Sequence, residues 1–336
     1  MARSPMAGPR LFRARVSRAE PRLEAMKPTH KRLIMGTMGL GGSWESPDYE
    51  PADIDLAHAV LEKAKEIGID TLDTADIYRH GASESVIGEV FKRDRELERH
   101  FRVQTKCSIQ LPNLQHPWTR YNSAGTYIRE AIELSARKLG RAPEIMLLHR
   151  FDPLMDLKDT AFAIKSALDS GTIGAWGVSN YSAWQVERLA DEVGSYPVAN
   201  QLELSLSARG FVEHAMNAPF TGSRPGSDYQ PGTVEYCADH EVQVQAWSPL
   251  ARGAFSAPEV SSPTADKVRE LAQTHETTPA TIVLWWLTMH PAGIVPVIGT
   301  TNAERIASCR DALAPSKLTR LEWYELLTTV RGGNCP

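Results

Sequence analysis

Cysteine is scarce in this sequence, and the few cysteines lie far apart. The 336 residues include only Cys107, Cys237, Cys309 and Cys335, with no Cys-x-x-Cys pair and no spacing typical of metal ligands. A disulfide-rich exported domain and a structural zinc site both depend on such groupings. We therefore expect a protein of a reducing compartment, the cytoplasm, with no metal site.

Long apolar runs and a marked excess of one charge are lacking as well. No apolar stretch approaches the roughly 20 residues that cross a bilayer, and the formal net charge is only −4. Such a small charge gives no general attraction for nucleic acid or for an anionic membrane. We therefore expect neither as a partner, and the oligomeric state is left open.

The first 18 residues lack acidic side chains and contain five arginines. An arginine-rich, acid-poor start is typical of an organellar transit peptide. Two other interpretations are a disordered extension and a start codon placed upstream of a true start at Met26. Little serine and no clear amphipathic period favour these two over targeting. We predict a disordered or targeting-like extension over residues 1–30 and a folded domain over residues 31–336.

From Lys31 onward, short β-branched runs alternate with longer segments of helical period. Eight strands are predicted, at residues 32–36, 70–72, 101–105, 145–148, 175–178, 198–201, 242–246 and 294–297. The predicted helices include residues 54–67, 84–91, 127–139, 160–170, 184–191, 268–275 and 279–289. Several of these helices follow residues that cap helices, such as Ser182 and Thr278. Residues 217–231 are rich in Gly, Pro and Ser and predict a loop after the sixth strand.

This alternation predicts a parallel sheet that is covered on both faces. An open doubly wound sheet and a closed barrel both fit the pattern. The count of eight strands, with about 300 structured residues, favours a single-domain α/β protein with the (β/α)8 TIM-barrel fold. The glycines of residues 39–42 do not complete a GxGxxG motif, because Trp44 occupies the third glycine position. They predict a tight barrel loop instead.

Reactive side chains follow three consecutive predicted strands. Asp73, Lys106 and His149 come directly after the second, third and fourth strands, and Tyr78 lies five residues beyond Asp73. Because the strands of a parallel barrel point the same way, these residues should gather at the C-terminal rim, where barrel enzymes have their active sites. Each residue type alone is ordinary at a strand end or in a loop. Their convergence on adjacent strands favours a catalytic role.

The chemistry of this set suits carbonyl reduction. A free tyrosine has a pKa near 10 and holds its proton too firmly to be an ideal acid at neutral pH. A nearby Lys106 ammonium favours the phenolate, whereas burial and Asp73 oppose it, so we expect a reduced net lowering of the pKa of Tyr78. His149 could donate a hydrogen bond to a carbonyl oxygen and polarise it. The hydride must come from a cofactor, because no side chain can supply one.

At these residues the sequence resembles the aldo-keto reductase superfamily. Residues 68–78, GIDTLDTADIY, resemble the family signature around its aspartate and tyrosine, and Lys106 and His149 follow in the expected order. Residues 177–181, 200–203 and 246–250 are similar to three further family motifs. The resemblance runs from about Leu33 to the C-terminus. Residues 149–156 and the short C-terminal tail look most like a bacterial branch of aldo/keto oxidoreductases.

The resemblance implies an enzyme that reduces an aldehyde or ketone with NADPH, or with NADH as the second possibility. Its substrate partner would be a small carbonyl compound, and its catalytic set would be Asp73, Tyr78, Lys106 and His149. The residues that it assigns to the cofactor are Gly36, Thr37, Ser179, Asn180, Gln201, Trp247, Ser248, Leu250, Thr300, Asn302 and Arg305. Three regions of the cofactor are thereby covered: the nicotinamide, the pyrophosphate and the adenosine end.

Within that cofactor set the resemblance implies distinct roles. Ser179, Asn180 and Gln201 would hold the nicotinamide carboxamide. Trp247 would stack on the nicotinamide ring. Ser248 and Leu250 would line the pyrophosphate, while Thr300, Asn302 and Arg305 would contact the adenosine end. Arg305 would be available to the 2′-phosphate of NADPH.

The sequence departs from the family pattern at two places. Many members have a lysine near the adenosine site, where this chain has Ile298-Gly299-Thr300-Thr301, so the preference for NADPH over NADH is open. Arg79 follows Tyr78 where a glycine is common. We expect the tyrosine loop to tolerate Arg79, which would alter the mouth of the site.

Several alternatives stay open at this point. Trp44 and Trp118 are either walls of a substrate pocket or packing anchors. Arg150 either binds an anionic substrate group or pairs with Asp152 or Asp156. Two rival functions are a nucleotide-binding regulatory subunit with little turnover and an aldolase that forms a Schiff base on Lys106. The intact catalytic set and the cofactor motifs favour the reductase.

Overall fold

The computed structural model of the chain describes residues 33–216 and 230–336. The predicted N-terminal extension, residues 1–30, lies outside the described residues. So does most of the predicted loop at residues 217–231 and the first residue of the first predicted strand, Arg32. Among the helices of the described ranges, none combines the length and the apolar character that a bilayer crossing requires.

Eight parallel strands close into a barrel, as the sequence predicts. The strands in chain order, including the two short strands β4 and β5 outside the barrel, are β1 (Ile34–Gly36), β2 (Thr71–Asp73), β3 (Arg102–Cys107), β4 (Ile109–Gln110), β5 (Arg120–Tyr121), β6 (Ile145–Leu148), β7 (Ala175–Ser179), β8 (Ala199–Glu203), β9 (Gln243–Trp247) and β10 (Val295–Ile298). Around the barrel β1 is followed by β2, β3, β6, β7, β8, β9 and β10, and β10 pairs with β1 to close it. The fold is a single (β/α)8 domain.

Two short strands were not predicted. β4 and β5 form an antiparallel hairpin directly after β3, in which Ile109 is opposite Tyr121. Each has only two residues, which is too short for a periodic signal. The predicted barrel strands are all present, and their ends differ from the prediction by at most two residues. Because of this shift, Asp73 and Lys106 lie within the last residues of β2 and β3 rather than directly after them.

Helices surround the barrel. Their bounds are Pro51–Ile67, Ala82–Arg93, Arg95–His100, Gly125–Leu139, Leu157–Asp169, Ala183–Val193, Gly210–Ala215, Thr233–Asp239, Pro263–Thr274, Pro279–Thr288, Ala303–Ala307 and Arg320–Arg331. The helix predicted at residues 268–275 begins five residues earlier, because Ser262 caps it by accepting a hydrogen bond from the Ala265 amide. Ser182 and Thr278 cap helices as expected.

The loop after β1 is tight, as expected from its glycines. Gly41 has a φ of 94°, and a Cβ added there would lie 2.6 Å from the carbonyl carbon of Ala82. Only glycine permits that approach without displacing the backbone. The close contact holds the loop after β1 against the start of the helix Ala82–Arg93. This helix follows the loop that carries Tyr78, so the two loops share one side of the barrel mouth.

Candidate active site

A buried lysine connects the polar side chains at the ends of β2 and β3. Lys106 is fully buried, and its Nζ donates to Asp73 Oδ2 at 2.6 Å, to the Thr74 carbonyl at 2.9 Å and to Tyr78 Oη at 3.0 Å. An ammonium has three N–H donors, so these three contacts use all of them. The lysine is therefore fixed in position, in contact with both the phenol and the carboxylate.

His149 lies beside the phenol. It follows β6 directly, and its ring centroid is 5.9 Å from that of Tyr78 in an edge-to-face arrangement. Its backbone N–H donates to the Cys107 carbonyl at 2.7 Å, and its carbonyl accepts from Asn180 Nδ2 at 3.1 Å. Within residues 33–216 and 230–336, the buried Nδ1 of the ring has no hydrogen-bond partner. The structure thus brings together all four residues that the sequence predicts as catalytic.

Burial and neighbouring charges set the protonation of this cluster. Burial opposes the charge of Lys106, but Asp73 and Tyr78 outweigh it and raise the pKa of Lys106 above its ordinary value. Burial, with the charges of Lys106 and Arg150, holds the pKa of His149 well below its ordinary value. At neutral pH the imidazole is therefore neutral and the lysine is charged.

The pKa of Tyr78 departs from the expectation drawn from the sequence. We expect Lys106 to give a net lowering, whereas the pKa is raised above its ordinary value. The largest cause is burial, which penalises the phenolate more than the ammonium stabilises it, and the Asp73 charge adds to the penalty. Tyr78 is therefore protonated at neutral pH.

Two glutamines inside the barrel contact the second carboxylate oxygen of Asp73, and a third glutamine contacts both of them. Gln104 Nε2 and Gln201 Nε2 donate to Asp73 Oδ1 at 2.5 and 2.9 Å. The same two nitrogens donate to Gln245 Oε1 at 2.8 and 3.0 Å. Both carboxylate oxygens of Asp73 are thus engaged, one by the lysine and one by amides. Sequence reasoning missed Gln104 and Gln245, although a glutamine inside an otherwise apolar strand is an informative signal.

The residues assigned to the nicotinamide lie at adjacent ends of β7, β8 and β9. Trp247 Nε1 donates to Asn180 Oδ1 at 3.0 Å, and Asn180 Nδ2 donates to Ser179 Oγ at 2.8 Å. Ser179 Oγ in turn donates to the Gln201 carbonyl at 2.9 Å. Gln201 is buried and Trp247 is partly exposed.

The residues assigned to the pyrophosphate and to the adenosine end lie after β9 and after β10, respectively. Asn302 caps the short helix Ala303–Ala307 by accepting from the Arg305 amide at 3.0 Å, and both residues are exposed. Thr300 Oγ1 accepts from the Asn302 amide at 3.2 Å. Ser248 and Leu250 begin the turn after β9, where Ser248 has a φ of 53°.

Gly36 and Thr37 are both buried at the end of β1. The Thr37 hydroxyl is engaged by the Asp73 carbonyl at 3.2 Å and by Ser83 Oγ at 2.9 Å. The structure therefore uses this hydroxyl for internal bonds and does not present it at the mouth.

Arg79 and Trp44 form one wall of the mouth. Arg79 has a φ of 51°, which is the left-handed region that favours glycine, the residue common at this position in the family it resembles. Arg79 Nε donates to the Met38 carbonyl at 3.2 Å, and the guanidinium carbon lies 5.2 Å from the centre of the Trp44 ring. Trp44 and Trp118 remain 41% and 59% exposed. Trp44 is thus both an anchor for Arg79 and an exposed surface at the rim.

Comparison with known proteins gives a family match over nearly the whole chain. The sequence profile described as "Aldo/keto reductase family" matches residues 32–326. The 6-dehydroglucose reductase of Agrobacterium fabrum is 30% identical over 305 residues, which cover 90% of this chain and 94% of that protein.

Solved structures share the fold. The glycerol dehydrogenase of Gluconobacter oxydans is 20% identical, with a TM-score of 0.74 over 89% of this chain and 92% of its own. An aldo-keto reductase from Klebsiella pneumoniae, solved in complex with NADPH, is 22% identical, with a TM-score of 0.66 over 88% of this chain and 89% of its own. Both comparisons support the same barrel architecture.

Proposed function

This chain belongs to the aldo/keto reductase family of oxidoreductases, and on this basis we propose that it reduces an aldehyde or ketone to an alcohol with a nicotinamide cofactor. In this proposal Tyr78 is the proton donor. Its support comes from Asp73, Lys106 and His149. The observation that carries the proposal is the 3.0 Å contact between Lys106 Nζ and Tyr78 Oη, with Asp73 Oδ2 2.6 Å from the same nitrogen.

The proton at Tyr78 Oη is held until a carbonyl oxygen can accept it. Burial raises the pKa of Tyr78, so the phenol keeps its proton across the neutral range. The Lys106 ammonium opposes this effect and stabilises the phenolate that remains once the proton has left. Asp73 and the glutamines around it keep the ammonium charged and in place. A buried phenol beside a fixed cation is thus suited to general acid catalysis.

His149 supplies a second donor to the same oxygen. Because burial and two nearby cations lower its pKa, the ring is neutral at neutral pH and has one N–H and one bare nitrogen. The edge-to-face contact between the rings of His149 and Tyr78, with centroids 5.9 Å apart, supports this role. A neutral imidazole that donates to a carbonyl oxygen polarises it without competing for the proton of Tyr78.

The residues at the ends of β7, β8 and β9 fit a nicotinamide. A bound nicotinamide would supply the hydride, which no side chain can provide. The amide oxygen of Gln201 would accept a hydrogen bond from a carboxamide, and Trp247 offers a partly exposed aromatic ring. The bond from Trp247 Nε1 to Asn180 keeps that face in one orientation. Ser179 completes this group of residues.

We propose NADPH as the cofactor, with NADH as the weaker alternative. The exposed Arg305, one turn into the helix capped by Asn302, is the cation available to a 2′-phosphate. Thr300, Ser248 and Leu250 would lie along the rest of the dinucleotide. Gly36 and Thr37 would act only through the backbone, because the Thr37 hydroxyl is engaged internally.

Cofactor binding and turnover test this proposal together. NADPH and NADH are titrated by fluorescence into the wild type and Arg305→Ala, and a panel of aldehydes and ketones is then assayed for NADPH oxidation. We expect turnover by the wild type, and in Arg305→Ala about a 10-fold loss of NADPH affinity with little change for NADH, as for one charged hydrogen bond. Equal weakening of both cofactors would remove Arg305 from the 2′-phosphate site. Tight NADPH binding without turnover of any carbonyl compound would favour a regulatory subunit instead.

A further inference from the structure

Arg150 is a half-buried cation next to His149. The sequence offers Asp152 and Asp156 as partners, but neither pairs with it. Asp152 accepts hydrogen bonds from the Ser123 amide at 3.0 Å and the Leu154 amide at 2.9 Å. Asp156 caps the helix Leu157–Asp169. Across residues 33–216 and 230–336, Arg150 makes no ion pair with any carboxylate.

The backbone at Arg150 is held from the neighbouring strand. Ser108, just after β3, accepts a hydrogen bond from the Arg150 amide at 3.2 Å and donates to its carbonyl at 3.1 Å. Phe151, the next residue, packs edge-to-face on the buried Tyr181 with ring centroids 5.3 Å apart. The backbone of Arg150 is therefore fixed before any ligand binds, which reduces the entropy that is lost on binding.

The charge of Arg150 reaches the catalytic cluster. It is one of the causes that lower the pKa of His149, after burial and Lys106. The buried Nδ1 of His149 also lacks a partner in the described part of the chain. Arg150, which follows His149 directly in the chain and is half-buried, therefore acts on the histidine through its charge.

A half-buried guanidinium without a carboxylate is costly, because it loses hydration without gaining a counter-charge. An anion brought by the substrate would remove that cost. A guanidinium also presents parallel N–H donors that match the two oxygens of a carboxylate.

We propose that Arg150 binds a carboxylate of the substrate, so that the preferred substrates are aldehydes or ketones that also carry a carboxylate near the carbonyl group. This inference rests on the proposed carbonyl reduction and names its substrate class. Arg150 acts in binding and orientation, whereas proton donation is left to Tyr78.

Matched substrate pairs test the inference. The 2-, 3- and 4-carboxybenzaldehydes are compared with their methyl esters, which carry the same aldehyde without the charge. For each pair, the ratio of kcat/KM for the acid to kcat/KM for the ester is measured in the wild type, Arg150→Gln and Arg150→Lys. We expect a ratio above one for at least one isomer. In Arg150→Gln we expect it to fall about 10- to 100-fold, mainly through KM, as for a hydrogen bond to a charged group. Arg150→Lys should retain part of the preference.

Arg79→Gln is the control for a general charge effect. Arg79 is a cation on the same rim, but Met38 and Trp44 already engage it. We expect this variant to change the ratio by less than about threefold, because a rim charge is screened by solvent. An equal fall in both variants, or an unchanged ratio in Arg150→Gln, would overturn the inference.

NADPH titration and thermal unfolding verify that each variant is folded. Reduction of the esters without any preference for the acids would refute only this inference. Failure of the wild type to reduce either class would refute the proposed function instead.

Discussion

Lys106 is the residue on which the geometry of the candidate site depends. Its ammonium is fully buried, which is costly for an isolated charge. The contact with Asp73 Oδ2 and the two neutral acceptors offset that cost, and the glutamines hold Asp73 in turn. Removal of one partner of such a pair leaves the other buried and uncompensated. Each member of the cluster therefore contributes to stability as well as to the proposed chemistry.

Asp76, two residues before Tyr78, is a carboxyl group that titrates near neutral pH. Its Oδ2 accepts from the Tyr127 hydroxyl at 3.0 Å, and in the described ranges its buried Oδ1 has no partner. Burial first, and the neighbouring Glu84 second, raise the pKa of Asp76 to about 7. A carboxyl group with a raised pKa stabilises the folded state at low pH, and this contribution is lost as the pH rises through the folded value.

Asp76→Asn should remove that pH dependence. The free energy of unfolding of the wild type should fall relative to the variant as the pH rises from 5 towards the folded pKa of about 7. Above that value the difference should become constant. Urea unfolding at a series of pH values measures this difference in the free energy of unfolding. A difference that does not change with pH would show that Asp76 titrates normally.

The four candidate catalytic residues could be predicted because each depends on a local rule. Asp73, Lys106 and His149 lie at strand ends, and the direction of parallel strands places them on one rim. The glutamine support could not be predicted in the same way. Gln104 and Gln245 are 141 positions apart, and their contact depends on which side chains point into the barrel. The predicted direction of the pKa shift of Tyr78 was wrong for a related reason. The sequence does not show how deeply the phenol is buried, and burial is the largest cause of the raised pKa.

At the scale of elements, the C-terminal helix Arg320–Arg331 is attached to the barrel by aromatic and ionic contacts. Trp323 stacks on Trp286 with ring centroids 5.0 Å apart and an angle of 7°. Each indole N–H donates to the backbone carbonyl of the other residue, at 3.2 and 2.9 Å. Arg331, at the end of the helix, lies with its Nε 3.0 Å from Glu213 Oε1. These contacts connect the last helix to helices that precede it in the sequence.

Glu213 forms ion pairs with two arginines, one of which is at the end of this helix. It is fully buried, and its Oε1 lies 3.0 Å from Nε of both Arg209 and Arg331. Glu213→Ala should destabilise the protein by about 3–5 kcal/mol, because it removes the buried carboxylate that faces two buried guanidinium groups. Chemical denaturation measures the change.

Arg137→Ala is the matched control for that variant. Arg137 forms an exposed ion pair with Glu133 at 3.7 Å, so solvent screens the interaction. Its loss should change the free energy of unfolding far less than Glu213→Ala. Equal effects of the two variants would contradict the assignment of Glu213 as a structural ion-pair centre.

The elements themselves were predicted well where the signal is periodic. All eight barrel strands were found, including the three-residue β2. The helix Arg320–Arg331 was not among the predicted helices, although Thr319 and Glu322 form a capping box at its start. The hairpin of β4 and β5 was missed because two-residue strands carry no period.

For the whole molecule, closure of the barrel is what assembles the site. Ile34 of β1 pairs with Val297 of β10, so the first and last strands must meet before the ring is complete. Gln201 reaches Asp73 across 128 positions of sequence. Such non-local contacts form only when most of the chain is folded. The fold class could still be predicted, because the count and alternation of elements limit the possible architectures.

The central claim is that this assembled mouth protonates a carbonyl oxygen from Tyr78. Single-turnover reduction of an aldehyde by enzyme already saturated with NADPH measures that step directly. In Tyr78→Phe, which keeps the ring and removes the hydroxyl, we predict a loss of about 10²- to 10⁴-fold in the rate, as for removal of a general acid. NADPH affinity should stay near that of the wild type. A variant that reduces the aldehyde at most of the wild-type rate would contradict the account.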